Sequence, residues 1–149
     1  MKTELIFDDY LYLDLPTPAD IAKAEAQLKV KFPPSYTKIL LAGAGKSAEN
    51  QEPVTSSGRA LGFRCFNHID LASDEPHKVN VSALDAWRYG NKLLEIADNG
   101  GGTRYCLDYR TEQNNPPVVV VYAWGEGGDE KAVELLADNF EAFIGKFTV

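Results

Sequence analysis

Cysteine is scarce in this 149-residue chain: Cys65 and Cys106 are the whole supply, and they stand far apart. Two distant thiols make no disulfide framework, so a reducing, cytoplasmic setting is expected. Histidine is equally scarce, with only His68 and His77 present, which leaves few bases to activate a nucleophile. Cations are outnumbered, 15 Lys and Arg against 22 Asp and Glu, for a net charge of -7 and a pI of about 4.8. Direct nucleic-acid binding draws on clustered Lys and Arg and is therefore not expected. Long apolar runs are missing too. The longest candidate, "PPVVVVYAW", reads as a strand rather than a membrane span. The start, "MKTELIFDDYLYLDL", lacks a signal peptide's apolar core because Asp8, Asp9 and Asp14 interrupt it. No internal repeat, low-complexity tract or G-x-S-x-G motif occurs.

What is present suffices for a core. Hydrophobic residues make up 44% of the chain, and a domain of this size buries roughly 68–70% of the surface that its unfolded form exposes. One domain over residues 1–149 is expected. Its first third reads as helix, proline turn, helix. Thr17 can cap, Pro18 suits the first helical position, and Asp20 stands where a capping-box acid belongs. Ile21, Ala24 and Leu28 mark the buried stripe, and "FPP" is expected to stop the helix. A second helix carries Tyr36, Ile39 and Leu40 inward and ends in "AGAG".

Residues 46–58, "KSAENQEPVTSSG", read as a polar surface loop, and "ALGFRCFNHIDLAS" has strand character. "SALDAWRYG" suggests a short helical turn carrying Trp87 and Tyr89. Three strands follow in "KLLEIA", "TRYCLD" and "VVVVYAW", then a last strand and a helix in "KAVELLADNFEAFIGKF". Asp138 and Glu141 have capping-box spacing there, with Phe140, Phe143, Ile144 and Phe147 on one helical face. The class is α+β: one two-layer domain with a largely antiparallel sheet of about six strands, an N-terminal helix pair and a C-terminal helix.

Three consecutive glycines in "IADNGGGTRYCLD" raise the question of a phosphate or cation loop. A phosphate loop would run into a helix, and a calcium loop would need alternating acids and a closing Glu. Here the chain runs into a strand, so Asp98, Asn99, Gly100, Gly101 and Gly102 are expected to form an exposed hairpin tip.

No active site emerges. Cys65 and His68 form a C-x-x-H pair with His77 nine residues on, but a structural zinc site wants a second close pair. Asp98 and Asp108 could face each other across the hairpin as an acid–base pair, and Cys106 could act as a nucleophile or simply pack in a strand. No catalytic residue, metal or cofactor is therefore assigned. The aromatics say more. Alternation puts Val118, Val120, Tyr122 and Trp124 on one strand face and Val119, Val121 and Ala123 on the other. Both faces are apolar up to Tyr122, so the strand is expected to be central and largely covered along its first part. Tyr122 and Trp124 precede Glu126, Asp129 and Glu130, a pattern of aromatic anchor and charged rim typical of protein interfaces. The competing reading is that both rings pack beneath a helix.

In order, these segments resemble the SUKH superfamily of fungal cell-wall-synthesis regulators and bacterial immunity proteins. Ile21, Glu25 and Leu28 lead into "FPPSYTKILLAGAG", similar to the family's proline-turn segment. "LLEIADNGGGTRYCLDYR" resembles its glycine hairpin closed by Leu-Asp, "VVVVYAW" its Val–aromatic strand, and "LADNFEAFI" its closing helix. One departure is visible: "AGAG" stands where the family has Asn-Gly. The resemblance implies an α+β fold with a six-stranded sheet, no catalysis, and a protein partner. That partner would be a cognate polymorphic toxin domain, with a basic nuclease suiting the acidic chain. The regulatory scaffold is the alternative, and a small hydrolase using Asp98, Asp108 or Cys106 is the third reading. Neither the oligomeric state nor the partner's identity follows from the sequence.

Overall fold

A computed structural model of the chain describes residues 5–10, 14–48, 51–69, 87–88, 93–122 and 132–148. The element order is β1 (Phe7–Asp8), α1 (Pro18–Leu28), α2 (Pro34–Gly43), β2 (Ser47–Ala48), β3 (Glu52–Pro53), β4 (Cys65–Phe66) and β5 (Trp87–Arg88). Then come β6 (Leu93–Asp98), β7 (Arg104–Asp108), β8 (Val118–Val121), β9 (Val133–Ala137), α3 (Phe140–Ile144) and β10 (Phe147–Thr148). Six strands form one antiparallel sheet in the order β4-β6-β7-β8-β9, with β5 sharing the outer edge of β6 with β4. Two small ribbons, β1 with β2 and β3 with β10, complete the pairing. The fold is α+β, as the patterning predicts.

Local chemistry sets the helix ends. Thr17 and Asp20 exchange bonds: the Thr17 N–H donates to Asp20 Oδ2 at 2.8 Å, and the Asp20 N–H donates to Thr17 Oγ1 at 3.2 Å. Bonding from the Thr17 backbone N–H foremost, and then from the Thr17 side chain, holds the Asp20 carboxyl below its usual range. The helix closes earlier than "FPP" suggests, at Lys29, which adopts a left-handed φ of 58° while Val30 N–H bonds the Glu25 carbonyl. The prolines instead open α2, where Pro34 takes the first turn.

Both faces of the sheet are apolar, and among the described residues the helices lie on one of them. Ile21, Ala24 and Leu28 of α1, Tyr36 and Leu40 of α2, and Phe140, Phe143 and Ile144 of α3 pack with Phe66, Leu94, Ile96, Tyr105, Leu107, Val118, Val120 and Leu136. Leu93, Cys106, Val119 and Val121 form a smaller cluster on the opposite face. All four valines of β8 are buried, because this strand lies between β7 and β9 and is covered on both sides. Two register shifts change the alternation. One between Glu95 and Ala97 turns both Ile96 and Ala97 into the main core, and one opposite Val118/Val119 does the same for Leu136 and Ala137.

Four expectations need correction. Trp87–Arg88 is strand, not helical turn, because the edge of β6 beyond β4 offers an open ladder at Leu93 and Leu94. Tyr89 lies outside the described residues. Residues 46–58 are not simply a surface loop: they hold β2 and β3, and Gln51 is buried with its Oε1 accepting from the Ile6 N–H at 3.2 Å. The cap of α3 is Asn139, whose Oδ1 accepts from the Ala142 N–H at 2.8 Å, one residue past Asp138. Phe147 belongs to β10 rather than to that helix, since the chain leaves the helix at Gly145 and pairs Phe147 with Pro53.

An aromatic chain runs through the core. Phe32 meets Tyr36 at 5.2 Å between centroids, Tyr36 meets Phe140 at 5.1 Å, and Phe143 meets Phe147 at 5.2 Å. Tyr36 carries a cost within it: its ring is fully buried, and its hydroxyl has no hydrogen-bond partner among the described residues. Burial accordingly drives its pKa upward. Tyr36→Phe should therefore stabilise the fold by about 1 kcal/mol, because it deletes a desolvated hydroxyl and keeps the ring. A urea melt that shows a loss instead would mean the hydroxyl is satisfied, for instance by a buried water.

Candidate functional site

The glycine segment joins β6 to β7, and its polar groups are turned inward. Asn99 Oδ1 accepts from the N–H groups of Gly101 (2.8 Å) and Thr103 (3.1 Å), while its Nδ2 donates to the Leu61 carbonyl at 3.0 Å. Asp98 Oδ1 accepts from the Gly100 N–H at 3.1 Å. Gly100 and Gly102 sit at φ 81° and 95°, the left-handed region that glycine fills without strain. A phosphate cradle needs backbone N–H groups free to point at the anion. Three of them here are already held by the chain's own Asp98 and Asn99.

Arg64 locks the base of the turn. Its Nε donates to Asp98 Oδ1 at 2.7 Å and its Nη2 donates to Asp98 Oδ2, a two-pronged pair with both side chains largely buried. Asp98 does not face Asp108. The register sets Asp98 opposite Arg104 and Asp108 opposite Leu93, at the two ends of the hairpin, about 15 Å apart along the strand. Asp108 is gripped by Arg110, with Nε to Oδ1 and Nη2 to Oδ2 both at 2.9 Å. The two acids thus serve as separate ion pairs rather than as a dyad.

The cysteines and His68 go separate ways. Cys106 packs with Leu93, Val119 and Val121. Cys65 is buried on β4, and burial pushes its thiol up to about 11, away from nucleophilic use at neutral pH. His68 Nε2 lies 2.6 Å from the Asp14 carbonyl oxygen. No group of three or more His, Cys, Asp or Glu that could hold a metal occurs among the described residues, and His77 lies outside them.

Tyr122 is the described member of the proposed partner surface; Trp124, Glu126, Asp129 and Glu130 lie outside the described residues. Its ring leans on the main core while its hydroxyl reaches an exposed polar cluster. That hydroxyl donates to Glu134 Oε1 at 2.7 Å and accepts from Arg59 Nη2, and the Arg59 guanidinium stands 5.2 Å from the ring centroid. Partial burial and the Glu134 carboxylate both raise the hydroxyl's pKa. A tight loop presents the arginine: the Arg59 N–H donates to Thr55 Oγ1 at 3.0 Å, the Thr55 N–H donates to the Arg59 carbonyl at 2.9 Å, and Val54 bridges Ala60. Sequence reasoning misses Arg59 and Glu134. They are 63 and 12 positions from Tyr122, and only the folded loop and the β8–β9 register bring them to it.

Three helices on one face of an antiparallel sheet, with its glycine hairpin held by side chains, define an α+β domain. The chain belongs to the SMI1/KNR4 family (SUKH-1), which it matches over residues 15–146. No curated protein and no solved structure matches it. Among the described residues no helix is long and apolar enough to cross a membrane.

Proposed function

We propose that the protein is a non-enzymatic immunity protein that acts in the cytoplasm by binding and neutralising a cognate polymorphic toxin domain. The family match over residues 15–146 carries this reading. The net charge of -7 favours a basic partner, and a basic nuclease domain fits, because charge complementarity speeds encounter and weakens with salt. The docking surface is Tyr122 together with Trp124, Glu126, Asp129 and Glu130. Clamping by Arg59 and Glu134 favours Tyr122 as an anchor whose ordering cost is met before binding.

A pull-down from the native cell should recover a toxin encoded beside this gene, and its binding should fall as salt rises. A gene without a toxin-like neighbour would redirect attention to a regulatory scaffold. Trp124→Ala should cost about 2 kcal/mol or more of affinity with little change in Tm, and reversing the charge of Glu126 or Asp129 should mainly slow association. If Trp124→Ala unfolds the chain, the ring is core and the docking surface lies elsewhere.

A further inference from the structure

Residues 5–9 lie ahead of the family match, which begins at residue 15, yet they are docked on the matched domain. Phe7–Asp8 pairs with Ser47–Ala48 over two residues only. Phe7 occupies a slot whose floor is Gly43: a Cβ there would overlap ring carbons Cε1, Cδ1 and Cζ. Phe66 forms the slot's wall, with ring centroids 6.2 Å apart at 65°. Two positions on, Asp9 Oδ1 meets Lys46 Nζ at 2.6 Å. Leu5 and Phe7 also line a cavity of about 510 Å³ against Lys38, Ile39 and Ala42 of α2 and Ile144 of α3.

The anchoring is specific but thin. Among the described residues the pairing is short, and Ile6 is 58% exposed and held only through its N–H on Gln51. Tyr10 adds one side-chain bond to Arg64, and an exposed Lys–Asp pair holds little. A segment of this kind opens far more readily than the central strands. The segment covers a site with three features: an aromatic slot on bare backbone at Gly43, a strand edge at β2, and a cation at Lys46. The residues in place show what it takes.

We propose that the N-terminal strand is a displaceable strap, and that the slot beneath it takes an extended peptide with an aromatic residue two positions ahead of a carboxylate. Main-chain pairing with Ser47–Ala48 would supply the affinity, and the slot and Lys46 the selectivity. This is independent of the Tyr122 surface and of any toxin partner.

The test uses the full chain and a labelled peptide of residues 5–10, Leu-Ile-Phe-Asp-Asp-Tyr. Phe7→Ala vacates the slot, so the peptide should bind that variant at least tenfold more tightly than wild type. Replacing the peptide's own Phe by Ala should abolish the difference. Gly43→Ala fills the slot with a methyl group: it should speed amide exchange at residues 6–8 at least tenfold, leave β6 and β7 protected, and refuse the peptide. Equal peptide binding to wild type and Phe7→Ala, or none to either, overturns the proposal. So does loss of protection throughout β6 and β7 in both variants, which would make the strap an integral part of the core.

Discussion

Phe143→Ala is expected to remove about 3–5 kcal/mol of stability, a large share of the roughly 5–15 kcal/mol that holds a domain of this size. Phe143 is fully buried on α3 and touches three other rings: Tyr105 of β7 at 5.6 Å, Phe140 at 5.7 Å and Phe147 of β10 at 5.2 Å. It therefore ties the C-terminal helix to the sheet and to the β3–β10 ribbon together. Truncation leaves a cavity walled by aromatics from three elements, which cannot all collapse inward at once. Urea unfolding should show a lower midpoint with an unchanged m-value. A loss below about 1 kcal/mol would mean that the ring is not the junction described.

Asn99→Ala should cost about 3 kcal/mol, since it removes three hydrogen bonds at about 1 kcal/mol each and leaves the buried Thr103 N–H without its acceptor. Asn99→Asp separates the contributions. It keeps an acceptor for Gly101 and Thr103 but sets a carboxylate oxygen against the Leu61 carbonyl in place of the donating amide. It should lose less than the alanine variant, with the remaining loss confined to the contact between the hairpin tip and the 61–64 segment. Amide exchange at Thr103 reads the first effect and at Gly62 the second. If both variants melt like wild type, the turn is held by Arg64 and Asp98 alone.

Much of the fold was legible because it is written in near neighbours. Thr17, Pro18 and Asp20 specify a helix start within four residues, and Ile21, Ala24 and Leu28 fall on one face by the 3.6-residue period. The glycine turn was legible for the same reason: Asn99 and the glycines flanked by two alternating segments allow few other structures. The Cys65, Cys106 and His68 chemistry was weighed from spacing, which cannot report that Cys65 is buried while His68 reaches the Asp14 carbonyl.

The sequence by itself determined the start of the first helix, the burial of both faces of Val118–Val121 and the class of fold, because each rests on periodicity or on side chains that bond to backbone within a few residues. Only the tertiary structure decided which groups meet across the sheet. A one-residue bulge at Glu95/Ala97 reverses the alternation and carries Ile96 and Ala97 into the core together. The register separates Asp98 from Asp108 and gives each its own arginine. Tyr122 gains Arg59 and Glu134 from two other parts of the chain. Phe147 shows the distinction within one residue. Its apolar ring and position near Phe143 demanded burial whatever the backbone did, but the pairing with Pro53 that makes it a strand depends on a segment 94 residues away, which no local pattern can see.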